Sequence, residues 1–204
     1  KLFPVDWHEM LVRLWCIQTP PILETGLQAF DAIMAKHKFG RDDYPVLAIP
    51  IWGAQLKAGK PVGWAMLPRG GLLPAFAGKG NPVNWLKVKT LYGSDAGWIG
   101  HVDRLATATV IWKVEGLKDA LALASQPDFP NDHAVITNAF GAKERPEPWM
   151  LELLAGKRVN CIGDCDRPGQ DGLIGWTDDK GRRHAGFCNL AAEKSSDVRN
   201  IDLG

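Results

Sequence analysis

Residues 159–172 read VNCIGDCDRPGQDG. A largely apolar run, Val159 to Ile162, meets Gly163. Two aspartates one residue apart, Asp164 and Asp166, then enter a turn rich in Gly and Pro. A buried strand driven into paired negative charge needs a reason. On an extended chain, residues i and i+2 face the same way, so the two carboxylates can point together. About 5 Å apart, at an effective dielectric near 20, they repel by roughly 3 kcal/mol. A divalent cation reverses that sign, and an oxygen-only donor set suits Mg²⁺ or Mn²⁺ rather than zinc. The alternative is local: Asp166 can cap the turn before Pro168.

The stretch upstream has a matching rhythm. TATVIWKV, 107–114, is β-branched and apolar and reads as a buried strand ending in Glu115-Gly116. Leu117, Ala120, Leu121 and Ala124 then recur at helical spacing. Glu115 is either a second acidic strand end or a cap for that helix. HAVITNAFG, 133–141, reads as the next strand, EPWMLELLA, 147–155, as a helix stopped by Gly156, and SSDVRNIDL, 195–203, as a fourth strand. Strands alternating with helices predict an α/β fold, a mainly parallel sheet covered on both faces. In such a sheet the strand ends at Glu115 and Asp164 share the edge where ligands bind.

The N-terminal half reads differently. Helices are predicted over 5–18, stopped by Pro20-Pro21, and over 26–37. VLAIPIW, 46–52, and PVGWAMLPR, 61–69, predict a hairpin, and NWLKVKTLYGS, 84–94, a further extended segment. The division expected is a smaller α+β lobe over 1–104 and an α/β domain over 105–204.

Composition fits this division. Of 204 residues, 46% are hydrophobic, enough to build cores, and no apolar run is long enough to span a bilayer. No secretory leader is visible, and a chain opening on Lys1 reads as an excised piece of a cytoplasmic protein. Cys16, Cys161, Cys165 and Cys188 fit neither a zinc ribbon nor a secreted disulfide scaffold, so they read as reduced, buried thiols. The net charge of +1 conceals an asymmetry: residues 57–104 carry five Lys and two Arg against two Asp, whereas 105–204 carry twelve basic and fifteen acidic side chains. A basic stretch beside an acidic site suits a polyanion held near a cation.

At this point the motifs resemble a known family. VIWKVEGLKDALAL and NCIGDCDRPGQDG are similar to the two signature motifs of the Toprim domain of bacterial-type primases, topoisomerases and some nucleases. The resemblance covers about residues 107–203. NWLKVKTLYGS resembles the basic stretch that precedes Toprim in the RNA-polymerase core of bacterial and phage-type DNA primases. VITNAFGA, 135–142, resembles the small-residue loop of primases, and VLAIPIWGAQLKAGKPVGWAMLPRG resembles their N-terminal strand-turn-strand.

The resemblance implies a nucleoid-associated primase core of bacterial or mobile-element type, joining ribonucleoside triphosphates on a single-stranded DNA template with Mg²⁺ or Mn²⁺. Glu115 would be a metal ligand or the base beside the attacking 3′-hydroxyl. Asp164 and Asp166 would be metal ligands, and Asp119 would steady them. Lys87 and Lys89 would face nucleotide phosphates or the template backbone, with Arg69 a further candidate. In a longer protein a replicative helicase would be a partner; no membrane partner is implied. Two other readings use the same acids: a Toprim nuclease, and a degenerate nucleic-acid-binding module. The sequence departs from the family in LIGWTDDKGRRHAGFC, 173–188, which reads as an inserted hairpin turning at DDKG. It also ends before the further acidic motif that usually follows the fourth Toprim strand.

Overall fold

The structure, a computed structural model, describes residues 46–53, 56, 61–68, 73–75, 84–86, 89–90 and 94–201. The helices expected over 5–18 and 26–37 lie outside these residues, as do Arg69, Lys87 and the end of the 195–203 strand. The chain divides into two compact units, one from Lys1–Ile51 and Pro61–Asp95, the other from Trp52–Lys60 and Ala96–Gly204.

In the first unit β1 (Val46–Ile51) and β2 (Gly63–Pro68) form the antiparallel hairpin that the sequence predicts, with Ile51 opposite Gly63. Ile49, Ile51, Trp64 and Ala65 are buried. The expected segment 84–94 splits between two sheets. β3 (Leu73–Ala75) pairs with β4 (Asn84–Leu86), and β5 (Lys89–Thr90) adds to β2.

The second unit is a mostly parallel five-stranded sheet with helices. Its strands are β6 (Trp98–Gly100), β7 (Val110–Val114), β8 (His133–Asn138), β9 (Arg158–Ile162) and β12 (Asp197–Asn200), in the order β12-β9-β7-β8-β6. All neighbours are parallel except β6, which runs antiparallel to β8 along one edge. That edge strand starts the unit before residue 105, where sequence patterning puts the division. β7 begins at Val110 rather than 107, because Thr107 and Ala108 donate back to the Arg104 carbonyl and close the 3₁₀ turn Val102–Ala106.

Strand alternation sorts the core into two layers. Ile111, Ala134, Ile136, Val159 and Cys161 face one side, in a cluster with Met150 and Leu151 of α2 (Pro148–Glu152), Leu173 of α3 (Arg167–Ile174) and Phe187 of α4 (Phe187–Ala192). Val135 and Thr137 face the other side, where α1 (Leu117–Ala124) packs on β6, β7 and β8. The expected helical stripe Leu117, Ala120, Leu121 and Ala124 is buried throughout. The helix of 147–155 is shorter than its pattern suggests. It ends in turns at Gly156, whose φ of +69° a residue with a Cβ adopts only under strain.

The inserted hairpin is present as β10 (Trp176–Thr177) and β11 (Arg183–His184). Asp178 closes it, accepting from the backbone N–H groups of Lys180 and Arg182. One expectation needs correction: Cys161 is buried and Cys188 partly so, but Cys165 is exposed, because it lies in the turn after β9 rather than within the strand. Among the described residues no helix is long and apolar enough to cross a membrane.

Candidate functional site

The connection after β7 runs through α1 to β8 on one side. The connection after β9 runs through α3 and α4 to β12 on the other. The chain thus leaves two adjacent strands in opposite directions, which opens a crevice at their carboxyl ends. Glu115 follows β7 and Asp164 follows β9, so residues 49 apart in sequence meet there.

The contact is a hydrogen bond: the Asp164 backbone N–H donates to Glu115 Oε2 at 2.8 Å. From the other side Thr137 Oγ1 donates to the Glu115 carbonyl at 2.7 Å, so β8 fixes its main chain. Partial burial pushes the Glu115 carboxyl above its ordinary range. The Asp164 N–H opposes that shift, and the negative charges of Asp164 and Asp166 add to it. Glu115 does not cap α1, whose first turn opens at Gly116 without a side-chain acceptor.

Asp166 takes the alternative weighed from sequence. It is the N-cap of α3, and its Oδ1 accepts from the Gly169 N–H at 2.9 Å, with Pro168 in the first turn. One oxygen of Glu115 and one of Asp166 are therefore engaged with the backbone. Among the described residues, no group of three or more His, Cys, Asp or Glu is spaced to hold a metal ion. The donor chemistry fits a hard cation, since these are carboxylates only. Mg²⁺ commonly takes one or two carboxylates and completes its shell with water and substrate oxygens.

A cleft of about 330 Å³ opens beside these acids. Val114, Ile162, Ala122 and Leu123 form its apolar wall, and Glu115, Asp119 and Asp164 its acidic rim. Asp119, on α1, is exposed and its carboxylate lies over Gly116.

No protein-family model, curated protein or solved structure matches this chain.

Of the predicted basic residues, Lys89 is in β5 and belongs to the first unit, while Lys87 and Arg69 lie outside the described residues. The structure adds one beside the acids and one farther along α3. Arg167 directly follows Asp166 with its side chain 90% exposed, 3.9 Å from Asp171. Lys143 pairs with Asp171 at 2.7 Å.

Three further residues shape the site. Gly169 is required by close approach: a Cβ there would overlap Glu115 Oε2 and the Asp164 backbone. Glu144 clasps the loop after β8, accepting from the Gly97 N–H at 2.7 Å and the Phe140 N–H at 2.6 Å. Lys113, in the middle of apolar β7, is 2% exposed, and its Nζ donates to the Val114 carbonyl at 2.9 Å. Burial lowers its pKa to about 8, against the pull of Cys161, Glu144 and Glu115. The signals were faint: a Gly directly after Asp-Arg-Pro, an acid in a polar loop, and one cation inside VIWKV.

Proposed function

We propose that the second unit is a Toprim-type catalytic domain and that the chain is the core of a primase-like nucleotidyltransferase acting on a single-stranded DNA template with ribonucleoside triphosphates. The observation that carries this is the meeting of Glu115 and Asp164 across the crevice between adjacent parallel strands, with Asp166 beside them.

In this reading Glu115, held by the Asp164 N–H and raised in pKa by burial, sits where it can take the proton of an attacking 3′-hydroxyl. Asp164 and Asp166 would hold Mg²⁺ or Mn²⁺ as a two-carboxylate site completed by water and substrate oxygens, and the ion when bound would supply neutralisation of charge on the transferring phosphate. Arg167, exposed and next to Asp166, would meet the remaining phosphate charge; Lys87 and Lys89 stay the candidates that the resemblance to primases implies for nucleotide or template phosphates. Phosphoryl transfer asks little else of a protein than positioning and charge neutralisation. A replicative helicase, in the same or another polypeptide, is the partner this role implies.

The test is incubation with Mn²⁺, a single-stranded template and labelled ribonucleotides. Template-dependent labelled oligonucleotides are the expected product. A shortened template would instead mark a nuclease using the same acids. Template bound but unchanged would mark a binding module.

A further inference from the structure

The loop after β8 leaves the sheet at the same edge as Glu115, one strand away. Thr137 stands opposite Val114 in the parallel register, and its hydroxyl reaches the Glu115 carbonyl. At the head of that loop the Phe140 side chain is 49% exposed. A single exposed ring on a slack loop means little. This loop is fastened on both sides. The Ala139 N–H donates to the Gly97 carbonyl, and the Phe140 N–H to Glu144 Oε2 at 2.6 Å. The Asn138 amide donates to the carbonyls of Gly141 at 3.1 Å and Glu144 at 3.3 Å. Toward α3, Lys143 donates to Asp171 at 2.7 Å, and the Ala142 carbonyl fills the space where a Cβ on Gly172 would lie. Main-chain bonds therefore hold Phe140 in place while its ring stays in solvent.

Cations flank it. Arg145 is exposed on the same loop, and Arg167, in the first turn of α3, has its side chain 90% exposed. Arg167 and Lys143 both approach Asp171, so one carboxylate meets two cations and positive charge is left over.

We propose that Phe140 is a stacking platform for one unpaired base of a single-stranded nucleic acid whose phosphates run toward Arg145 and Arg167. This rests on the reading of the acidic edge as a nucleic-acid site, and it places the strand along the β8 loop beside that edge.

The chemistry selects a single strand. A protein partner buries a continuous apolar core, whereas here one ring stands among cations. Every base has a π face, so stacking on Phe140 needs no particular sequence, and the phosphates supply the counter-charge. In a duplex the base faces are already covered by their neighbours, which leaves the ring nothing to stack on.

The test is fluorescence anisotropy of a labelled, mixed-sequence single-stranded DNA in EDTA, which reads binding without metal or synthesis. Phe140→Ala should weaken binding about 5- to 150-fold, the loss of one stacked base. Phe140→Tyr should bind like the wild type. Phe140→Leu, apolar but without a π face, should resemble Phe140→Ala. The slope of affinity against salt should stay the same in Phe140→Ala and become shallower when Arg145→Ala and Arg167→Ala are combined. Binding of a duplex should not respond to Phe140→Ala. The proposal is overturned if Phe140→Ala binds the single strand like the wild type, if Leu serves as well as Tyr, if the duplex loses as much as the single strand, or if the arginine double variant keeps the wild-type slope. A wild type that binds no single strand overturns it together with the proposed function. Phe140-dependent binding without oligonucleotide synthesis supports the platform and rejects only the synthesis. Circular dichroism checks the fold of each variant. If Phe140→Ala does not fold, ultraviolet cross-linking of the wild type decides: DNA joined to the peptide carrying residue 140 supports the proposal, and cross-links confined to other peptides overturn it.

Discussion

Asp166 has two jobs in this account, and two substitutions separate them. As N-cap of α3 it accepts the Gly169 N–H at 2.9 Å, an orphan donor of the first turn. Asp166→Ala deletes the acceptor and should cost about 1 kcal/mol, with about 0.5 kcal/mol more from the lost charge at the positive end of the helix. Some of this is offset, because removing Asp166 relieves its repulsion with Glu115. For a protein of this size, 1 kcal/mol lowers Tm by about 2–4 °C. Asp166→Asn keeps an oxygen in the capping position and should stay within a few tenths of a kcal/mol of the wild type, since Asn and Asp cap about equally well. Thermal unfolding reads the cap, and calorimetric Mn²⁺ titration reads the charge. The expected pattern is a Tm drop only for Ala and weakened Mn²⁺ binding for both. An Asp166→Ala protein as stable as wild type would refute the capping argument. Unchanged Mn²⁺ affinity in Asp166→Asn would leave Asp166 a cap and nothing more.

Other consequences follow from the same geometry. Gly169→Ala should cost about 1–3 kcal/mol by overpacking against Glu115 and Asp164, read by denaturant unfolding; a neutral outcome would mean that the two strand ends are not held together. His101 is buried and held neutral: desolvation, with Arg104 adding and Asp103 opposing, lowers its pKa from 6.5 to about 4. Between those values the unfolded chain binds a proton that the folded one does not, so stability should fall by on the order of 3 kcal/mol as pH drops from 6.5 to 4. His101→Phe should flatten that part of the curve, and an unchanged slope would reject it. Replacing both Lys87 and Lys89 with Ala should weaken single-strand binding and flatten its salt dependence. The same affinity and slope in a folded double variant would make them ordinary surface lysines.

The sheet was legible where periodicity and breakers agreed. β7, β8 and β9 stand out as β-branched runs ending in Gly or acid, and the stripe on α1 is buried as spaced. β6 was not legible, because three residues are too few to show alternation and its place is set by pairing with β8. At the site, the convergence of Glu115 and Asp164 follows from parallel pairing. Which backbone group each carboxylate binds is a tertiary matter. Glu144 sits in a polar loop that reads as solvated, yet two backbone N–H groups draw its carboxylate inward and burial raises its pKa. Lys113 breaks the expectation for a core strand because its ammonium finds a carbonyl and an aromatic face where a hydrocarbon would ordinarily pack.

The most direct test of the acidic edge is Glu115→Gln in the template-directed synthesis assay. The amide oxygen can still accept the Asp164 N–H, so the link between β7 and β9 is kept while the charge and the base are lost. With Mn²⁺, template and ribonucleotides, the wild type should make labelled oligonucleotides and the folded Glu115→Gln protein should make roughly 10²–10⁴-fold less. Equal yields from the two would contradict the claim that this carboxylate performs the chemistry.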